Sequence, residues 1–156
     1  MNIQWLIIDG YNLLHKIVEL STLMQTDIQL ARHRLVRMVE NTAHRFAEQT
    51  TIVFDGRKAG QDDALTSGRM EIYFSPGNLS ADTVIERLVE RYPDSSRILV
   101  VTSDHAEADT VSSSGAQVMS SDEFMAQCER DARKSIGKRT RPGEEPKLGD
   151  LFPDGL

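Results

Sequence analysis

Residues 5–12, WLIIDGYN, begin with an uninterrupted apolar run that ends at an aspartate. Such runs are typical of strands that are buried on both faces of a parallel sheet. Similar short runs recur at residues 51–54, 70–74 and 98–101. Helical patterns separate them, so the sequence predicts βαβ units within an α/β fold. We expect a twisted, mainly parallel sheet of four to five strands with helices on both faces.

The segments between the strands predict helices with different clarity. Apolar residues recur every three or four positions from residue 27 to 48, which is the spacing of a helix with one buried face. Ser80 and Ser121 each precede a helical pattern, where a serine side chain can cap the first turn. The elements predicted for the second half are helices at 81–91, from 106 onward and at 122–134, with a short edge strand at 117–119.

The chain of 156 residues has the length of a single domain. We place that domain at residues 1–136. Residues 137–156 are rich in glycine, proline and charge and lack periodicity, which is typical of a flexible tail. The glycine-rich stretch at residues 56–68 is predicted to be a mobile loop.

Bulk composition limits the classes of protein that this chain could represent. The net charge is −6, so any contact with nucleic acid needs a local basic patch. One cysteine, Cys128, excludes a disulfide framework and a cysteine-rich zinc site. No apolar run is long enough to span a bilayer, and the N-terminus lacks the pattern of a signal peptide. We therefore expect a cytoplasmic location and no membrane partner.

Aspartates stand where predicted strands end. Asp9, Asp55 and Asp104 follow three of the predicted strands. Asp82 lies at the start of the helix that follows the strand predicted at residues 70–74. The carboxyl ends of parallel strands meet at one edge of the sheet, where ligands usually bind. Four carboxylates at one edge would raise one another's pKa, and a bound Mg²⁺ or Mn²⁺ would relieve that repulsion. Such ions promote phosphodiester hydrolysis.

Each of these aspartates also has a purely structural explanation. Asp55 precedes a glycine, as turn residues often do. Asp82 would complement the dipole of its helix, and Asp104 could cap the helix that follows. Asp9 is as consistent with a turn residue or a cap of the next helix as with a ligand. The case for a site therefore depends on their convergence at one edge.

Other polar residues near the same edge are candidates for supporting roles. Asn12 could orient a water molecule or a phosphate, since its amide offers both a donor and an acceptor. Ser103 could form a hydrogen bond with a phosphate of the substrate or with a carboxylate that binds the metal. His15 is expected to lie along a helix face rather than to transfer protons, and Glu86 and Asp109 are weaker candidates for the pocket.

Basic residues form two groups that could contact the phosphates of RNA. Arg57 and Lys58 lie at the start of the predicted mobile loop. Arg130, Arg133 and Lys134 begin the densest basic stretch, which continues into the tail. For any one of them a solvated surface position is the simpler interpretation.

Four motifs, in this order and spacing, carry a family resemblance: IIDGYNLLH at 7–15, IVFDG at 52–56, SADTVIERLV at 80–89 and VVTSDHAE at 100–107. Together they resemble the NYN domain of the YacP type, within the PIN-like nuclease superfamily. The resemblance covers about residues 3–134 and implies an acidic, magnesium-dependent site. Its metal ligands would correspond to Asp9, Asp82 and Asp104, with Asn12 and Asp55 beside them. Members of this type include an endoribonuclease that enters the ribosomal A site and cuts translated messenger RNA.

Three hypotheses about function follow. The first is an endoribonuclease that uses Mg²⁺ or Mn²⁺ to hydrolyse single-stranded RNA, with the ribosome as a possible partner. The second is a non-catalytic module of the same fold that binds RNA or the ribosome. The third is a phosphatase or nucleotidase that acts on small substrates at the same edge. The sequence leaves the oligomeric state open.

Overall fold

A computed structural model describes residues 2–56 and 70–139 of the chain, with residues 135–139 described as backbone only. The predicted mobile loop beyond Gly56 and the tail beyond Arg139 therefore lie outside the described residues. The elements in chain order are β1 (Trp5–Asp9), α1 (Gly10–His15), α2 (Val18–Leu23), α3 (Ile28–Ala43), β2 (Gln49–Phe54), β3 (Met70–Phe74), α4 (Ala81–Arg91), a short 3₁₀ turn (Ser95–Arg97), β4 (Ile98–Val101), α5 (His105–Ser113), β5 (Gln117–Met119) and α6 (Ser121–Arg139).

The five strands form one sheet in the order β3-β2-β1-β4-β5, and every pairing in it is parallel. β1 lies at the centre, with Ile7 opposite Thr51 of β2 on one side and Val100 of β4 on the other. The chain runs outward from β1 in one direction through β2 and β3 and in the other through β4 and β5. The prediction of a single parallel α/β domain is confirmed.

Helices cover both faces of the sheet, because successive side chains of a strand point to opposite sides. Leu6 and Ile8 of β1 face a core built with α1, α2, α3 and α6. Ile7 faces a second core, to which α4 and α5 contribute. All three residues are fully buried, which explains why β1 is an unbroken apolar run.

Some element boundaries differ from the predictions. The short helices α1 and α2 were not predicted, and α3 ends at Ala43 because the chain tightens there into i→i−3 hydrogen bonds, such as Phe46 N–H to Ala43 O at 2.9 Å. β2 begins two residues earlier than expected. No helix in the described part of the chain is both long and apolar enough to cross a membrane.

The cap of α6 was assigned to the wrong serine. The Oγ atom of Ser120 accepts the hydrogen bond from the Glu123 N–H at 3.1 Å, which is the capping contact. Ser121 is instead the first helical residue, and its hydroxyl points into the site described below. α6 also continues to Arg139, beyond its predicted end and beyond the domain boundary at residue 136, which stays a prediction.

Candidate active site

The predicted site residues meet in an open cavity of about 310 Å³ at the carboxyl edge of the sheet, which we call the acidic pocket. It lies where the chain direction diverges between β1 and β4, the usual position of a ligand site in parallel α/β sheets. Its lining residues are Asp9, Tyr11, Asn12, His15, Asp55, Ser80, Ala81, Asp82 and Asp104. All five residues predicted to be catalytic are among them. A larger cavity of about 470 Å³, lined by Gln4 and Arg97, lies at the opposite, amino edge.

Asp9 is the last residue of β1 and also the cap of α1. Its Oδ1 accepts a hydrogen bond from the Asn12 N–H at 3.3 Å. The next residue, Gly10, packs so closely on β2 that an added Cβ would lie 2.4 Å from Cε1 of Phe54. This glycine lets α1 start directly at the strand end, which holds the Asp9 carboxylate at the mouth of the pocket.

The other acids reach the pocket from three different elements. Asp104 caps α5, with Oδ1 accepting from the Glu107 N–H at 3.1 Å. Asp82 lies in the first turn of α4, whose cap is Ser80, as predicted. Asp55 follows β2 and is buried. The structural roles expected for Asp9 and Asp104 are therefore real, but capping occupies only one oxygen of each carboxylate.

The charges of Asp82 and Asp104 act on two other acids at this edge, Asp9 and Glu86. Burial raises the pKa of Asp9, and the charges of Asp82 and Asp104 raise it further, against hydrogen bonds to Glu107 and to the Asn12 N–H that lower it. Burial and the same two charges also raise the pKa of Glu86. Of the four aspartates predicted to repel one another, Asp9 therefore has a pKa that responds to the charges of its neighbours. Asp109, by contrast, is exposed and does not line the pocket.

Glu107 is a site residue that the sequence analysis missed. Its side chain is only 1% exposed, and its Oε2 accepts a hydrogen bond from the Thr102 hydroxyl at 2.8 Å. Burial and the neighbouring charge of Asp9 raise its pKa to about 9. No N–H or O–H group of the described residues donates to its Oε1. The neighbouring group is the carboxyl of Asp9, and two carboxyls can form a hydrogen bond only when one of them carries a proton. The available signal was its position three residues after the Asp104 cap, where a glutamate often completes a capping box.

The donor set fits a hard divalent cation. Within residues 2–56 and 70–134, no three acidic, histidine or cysteine side chains already surround one point at coordinating distance. Mg²⁺ is usually held by one or two carboxylates, with water and substrate phosphate completing the shell. The charges of Asp82 and Asp104, which help to raise the pKa of Asp9, are negative charges that a cation would compensate. Asp9, Asp82 and Asp104 are the residues that could hold it.

Only the donor half of the Asn12 amide is free to contact a substrate. Its Oδ1 accepts hydrogen bonds from the Ser103 N–H at 3.0 Å and from the Ser121 hydroxyl at 2.7 Å. A carbonyl oxygen has two lone pairs, so these bonds saturate the acceptor. What Asn12 can offer a substrate is therefore its NH₂ group, a donor suited to phosphate oxygens.

Ser103 lines a neighbouring cavity instead of the acidic pocket. This side cavity has a volume of about 410 Å³ and shares the Asp104 wall with the pocket. His15 is the last residue of α1, consistent with the expected place on a helix, and it also lines the acidic pocket. The predicted substrate contacts Arg57 and Lys58 lie outside the described residues.

The basic residues of α6 do not reach either cavity. Arg130, Arg133 and Lys134 are exposed and lie nine or more residues after Ser121, which is about 14 Å or more along the helix. Contacts to RNA from these residues stay a prediction that concerns a longer substrate extending away from the pocket.

The sheet order and the acidic pocket at its switch point agree with the PIN-like α/β domain that the sequence resembles. The chain belongs to the YacP-like NYN domain family, whose profile matches residues 6–150. The match continues into the segment assigned to the tail.

Individual relatives agree with this assignment. The chain is 28% identical over 138 residues to the YacP protein of Bacillus subtilis, covering 87% of this chain and 81% of that protein. Two crystal structures of Rae1 (YacP) from Bacillus subtilis superpose with a TM-score of 0.71. One is a point mutant that is 27% identical, and the match covers 88% of this chain and 81% of that protein. The other is 26% identical, and the match covers 99% of this chain and 86% of that protein. The fold and family are therefore those of a nuclease group.

Proposed function

We propose that this protein is an endoribonuclease that uses Mg²⁺ or Mn²⁺ to hydrolyse phosphodiester bonds in single-stranded RNA. The observation that carries the proposal is the convergence of Asp9, Asp82 and Asp104 on one open pocket, where the latter two raise the pKa of the first. Carboxylates that repel one another in this way favour a bound cation over any arrangement of the protein alone.

The residues of the pocket divide the work between them. Asp9, Asp82 and Asp104 would hold the ion, which supplies charge neutralisation at the phosphoryl group and activates water. The NH₂ group of Asn12 donates to a phosphate oxygen, and Asp55 orients the attacking water. Glu107, which does not line the pocket, holds the Asp9 carboxylate in place through a hydrogen bond. Water adds to phosphorus and releases a proton, the bond to the leaving ribose oxygen breaks, and that oxygen takes up a proton.

Delivery by the ribosome is the finer part of the proposal. The net charge of −6 disfavours tight binding of free RNA. Among the described residues, His15 is the only basic side chain that lines the acidic pocket. A ribosome that presents messenger RNA would supply local concentration that the charge of this protein does not.

The test is cleavage of a labelled, unstructured RNA with Mg²⁺ or Mn²⁺ by the wild type and by Asp104→Asn. Asparagine caps a helix as well as aspartate does, so the variant should fold. We expect its cleavage rate to fall by roughly 100-fold or more, as is usual when a group that stabilises the transition state is lost. EDTA should have the same effect. Asp109→Asn, an exposed acid of the same helix outside the pocket, is the matched control and should cut normally.

Two results would contradict the proposal. Full activity of Asp104→Asn, or of the wild type in EDTA, would contradict the metal-dependent mechanism. If free RNA is not cut, the assay is repeated on translating ribosomes, and binding without cleavage there would identify a non-catalytic module.

A further inference from the structure

The side cavity next to the acidic pocket has no role in the mechanism above. It is formed by the ends of β4 and β5, the starts of α5 and α6, and Lys16 after α1. Because Asp104 lines both cavities, a chain molecule bound at the acidic pocket can continue into this space. Its volume of about 410 Å³ is within the usual range for sites of small ligands.

The lining of the side cavity mixes polar and apolar groups and carries both signs of charge. Lys16 and His105 provide basic groups, Asp122 provides a carboxylate, and Ser103 and Ser120 provide hydroxyls. Ala108 and Val118 are its apolar part. No phenylalanine, tyrosine or tryptophan of the described residues lines it, so the exposed imidazole of His105 is its one ring.

Several of these groups have unused hydrogen-bonding capacity. The Ser103 hydroxyl accepts from the Ser121 N–H at 3.0 Å, and the Ser120 hydroxyl accepts from the Glu123 N–H at 3.1 Å. Each hydroxyl keeps a proton to donate. The side chains of Lys16 and Asp122 are exposed and form no hydrogen bond or ion pair with any described residue.

This combination matches the sugar of a nucleotide better than a bare phosphate. A phosphate alone would be repelled by Asp104 and Asp122. A ribose offers hydroxyls that both donate and accept, and the 2′-hydroxyl is the group that distinguishes RNA from DNA. Lys16 suits the phosphate attached to that sugar as a point charge.

We infer that the side cavity is a ribose subsite, in which Asp122 accepts a hydrogen bond from the 2′-hydroxyl of the nucleotide next to the scissile phosphate. The inference rests on the proposed function and names the feature by which the site selects RNA. The 2′-hydroxyl is recognised there and does not act as the nucleophile, since water is the attacking group.

The test uses unstructured RNA oligonucleotides that carry a single 2′-deoxy substitution at successive positions around the cut. A hydrogen bond to a charged group contributes about 1.5–3 kcal/mol, or roughly 10- to 100-fold. We expect one position at which the substitution lowers kcat/KM of the wild type by roughly 10-fold. Asp122→Ala should lower kcat/KM on all-RNA substrate by a similar factor and lose sensitivity at that position alone. Asp122→Asn keeps an acceptor oxygen and should recover part of the rate.

Glu123→Ala is the matched control, because Glu123 is the adjacent exposed acid and lines neither cavity. It should keep the full positional sensitivity. Equal sensitivity in Asp122→Ala and wild type would overturn the subsite. Complete loss of cutting at one deoxy position in both proteins would also overturn it, because the 2′-hydroxyl would then be the nucleophile.

Binding separates the failure of this inference from the failure of the proposed function. Fluorescence anisotropy of the same oligonucleotides with Asp9→Asn, alone and combined with Asp122→Ala, needs no cleavage. A preference for RNA that disappears with Asp122→Ala supports the subsite even if the wild type cuts nothing. No preference for RNA over the deoxy substrates contradicts it even if cleavage is rapid.

Discussion

The side-chain oxygen of Asn12 accepts a hydrogen bond from the backbone N–H of Ser103, although 91 residues separate the two in the chain. The same oxygen accepts the Ser121 hydroxyl. One side chain therefore connects α1 to the turn between β4 and α5 and to the start of α6. These connections hold Asp9 and Asp104 in a fixed relation, since Asp9 caps α1 and Asp104 directly follows Ser103.

Replacing Asn12 should reduce both stability and activity. Asn12→Ala leaves two donors without their acceptor, at a cost of about 1–3 kcal/mol for each one that stays buried. It also removes the amide donor proposed to contact phosphate. Ser121→Ala removes one donor and leaves the amide in place, so its loss of stability should be about 1 kcal/mol. Thermal unfolding should rank wild type above Ser121→Ala and Ser121→Ala above Asn12→Ala. Equal loss of RNA cleavage in both variants would contradict a substrate contact by Asn12.

A substitution at Gly56 would test whether the chain after β2 must lie close to the end of β3. A Cβ at this position would lie 2.0 Å from the carbonyl oxygen of Ser75, whereas one at Gly77 would have nothing within 4 Å. Gly56→Ala should therefore cost about 1–3 kcal/mol, the range for overpacking. It should also lower cleavage, because Asp55 precedes the displaced residue. Gly77→Ala is the control and should unfold near the wild-type temperature. Similar melting temperatures for the two variants would contradict the close approach.

The sheet could be predicted because its signals are local. β1 and β4 are short apolar runs buried on both faces, and parallel strands must place their carboxyl ends together. The convergence of Asp9 and Asp104 follows from that geometry alone. The six-residue helices α1 and α2 were missed because each is shorter than two turns and cannot display a periodic pattern.

Other parts of the site depend on packing that the sequence does not encode locally. Ser120 and Ser121 are adjacent and equally suited to capping, and only the contact of Ser121 with Asn12 distinguishes them. Glu107 lies on the short helix α5, and its burial depends on how that helix packs against α4 and β5. The side cavity requires the ends of β4 and β5 and the start of α6 to be placed together.

Cys128 should be unreactive in the folded protein. Its side chain is 2% exposed, and burial raises the pKa of the thiol to about 11, so little reactive thiolate exists near neutral pH. Labelling with iodoacetamide at pH 8 should be slow without denaturant and should accelerate through the urea unfolding transition. Rapid and complete labelling of the native protein would mean that α6 opens locally.

The Glu107 carboxyl should make the metal-free protein less stable as the pH rises. Its pKa is about 9 in the folded state and has an ordinary value of 4.5, so between these values the folded protein binds a proton that the unfolded chain has lost. Stability from this group is therefore complete below pH 4.5 and declines as pH increases toward 9. Glu107→Gln has no such proton, and its amide can donate to Asp9 permanently. In EDTA at pH 8 the variant should exceed the wild type by at least about 1 kcal/mol, or roughly 2–4 °C in melting temperature. The difference should shrink at pH 5, while Glu123→Gln should follow the wild type throughout. If the difference in melting temperature between wild type and Glu107→Gln stays constant from pH 5 to pH 8, the carboxyls of Asp9 and Glu107 do not share a proton.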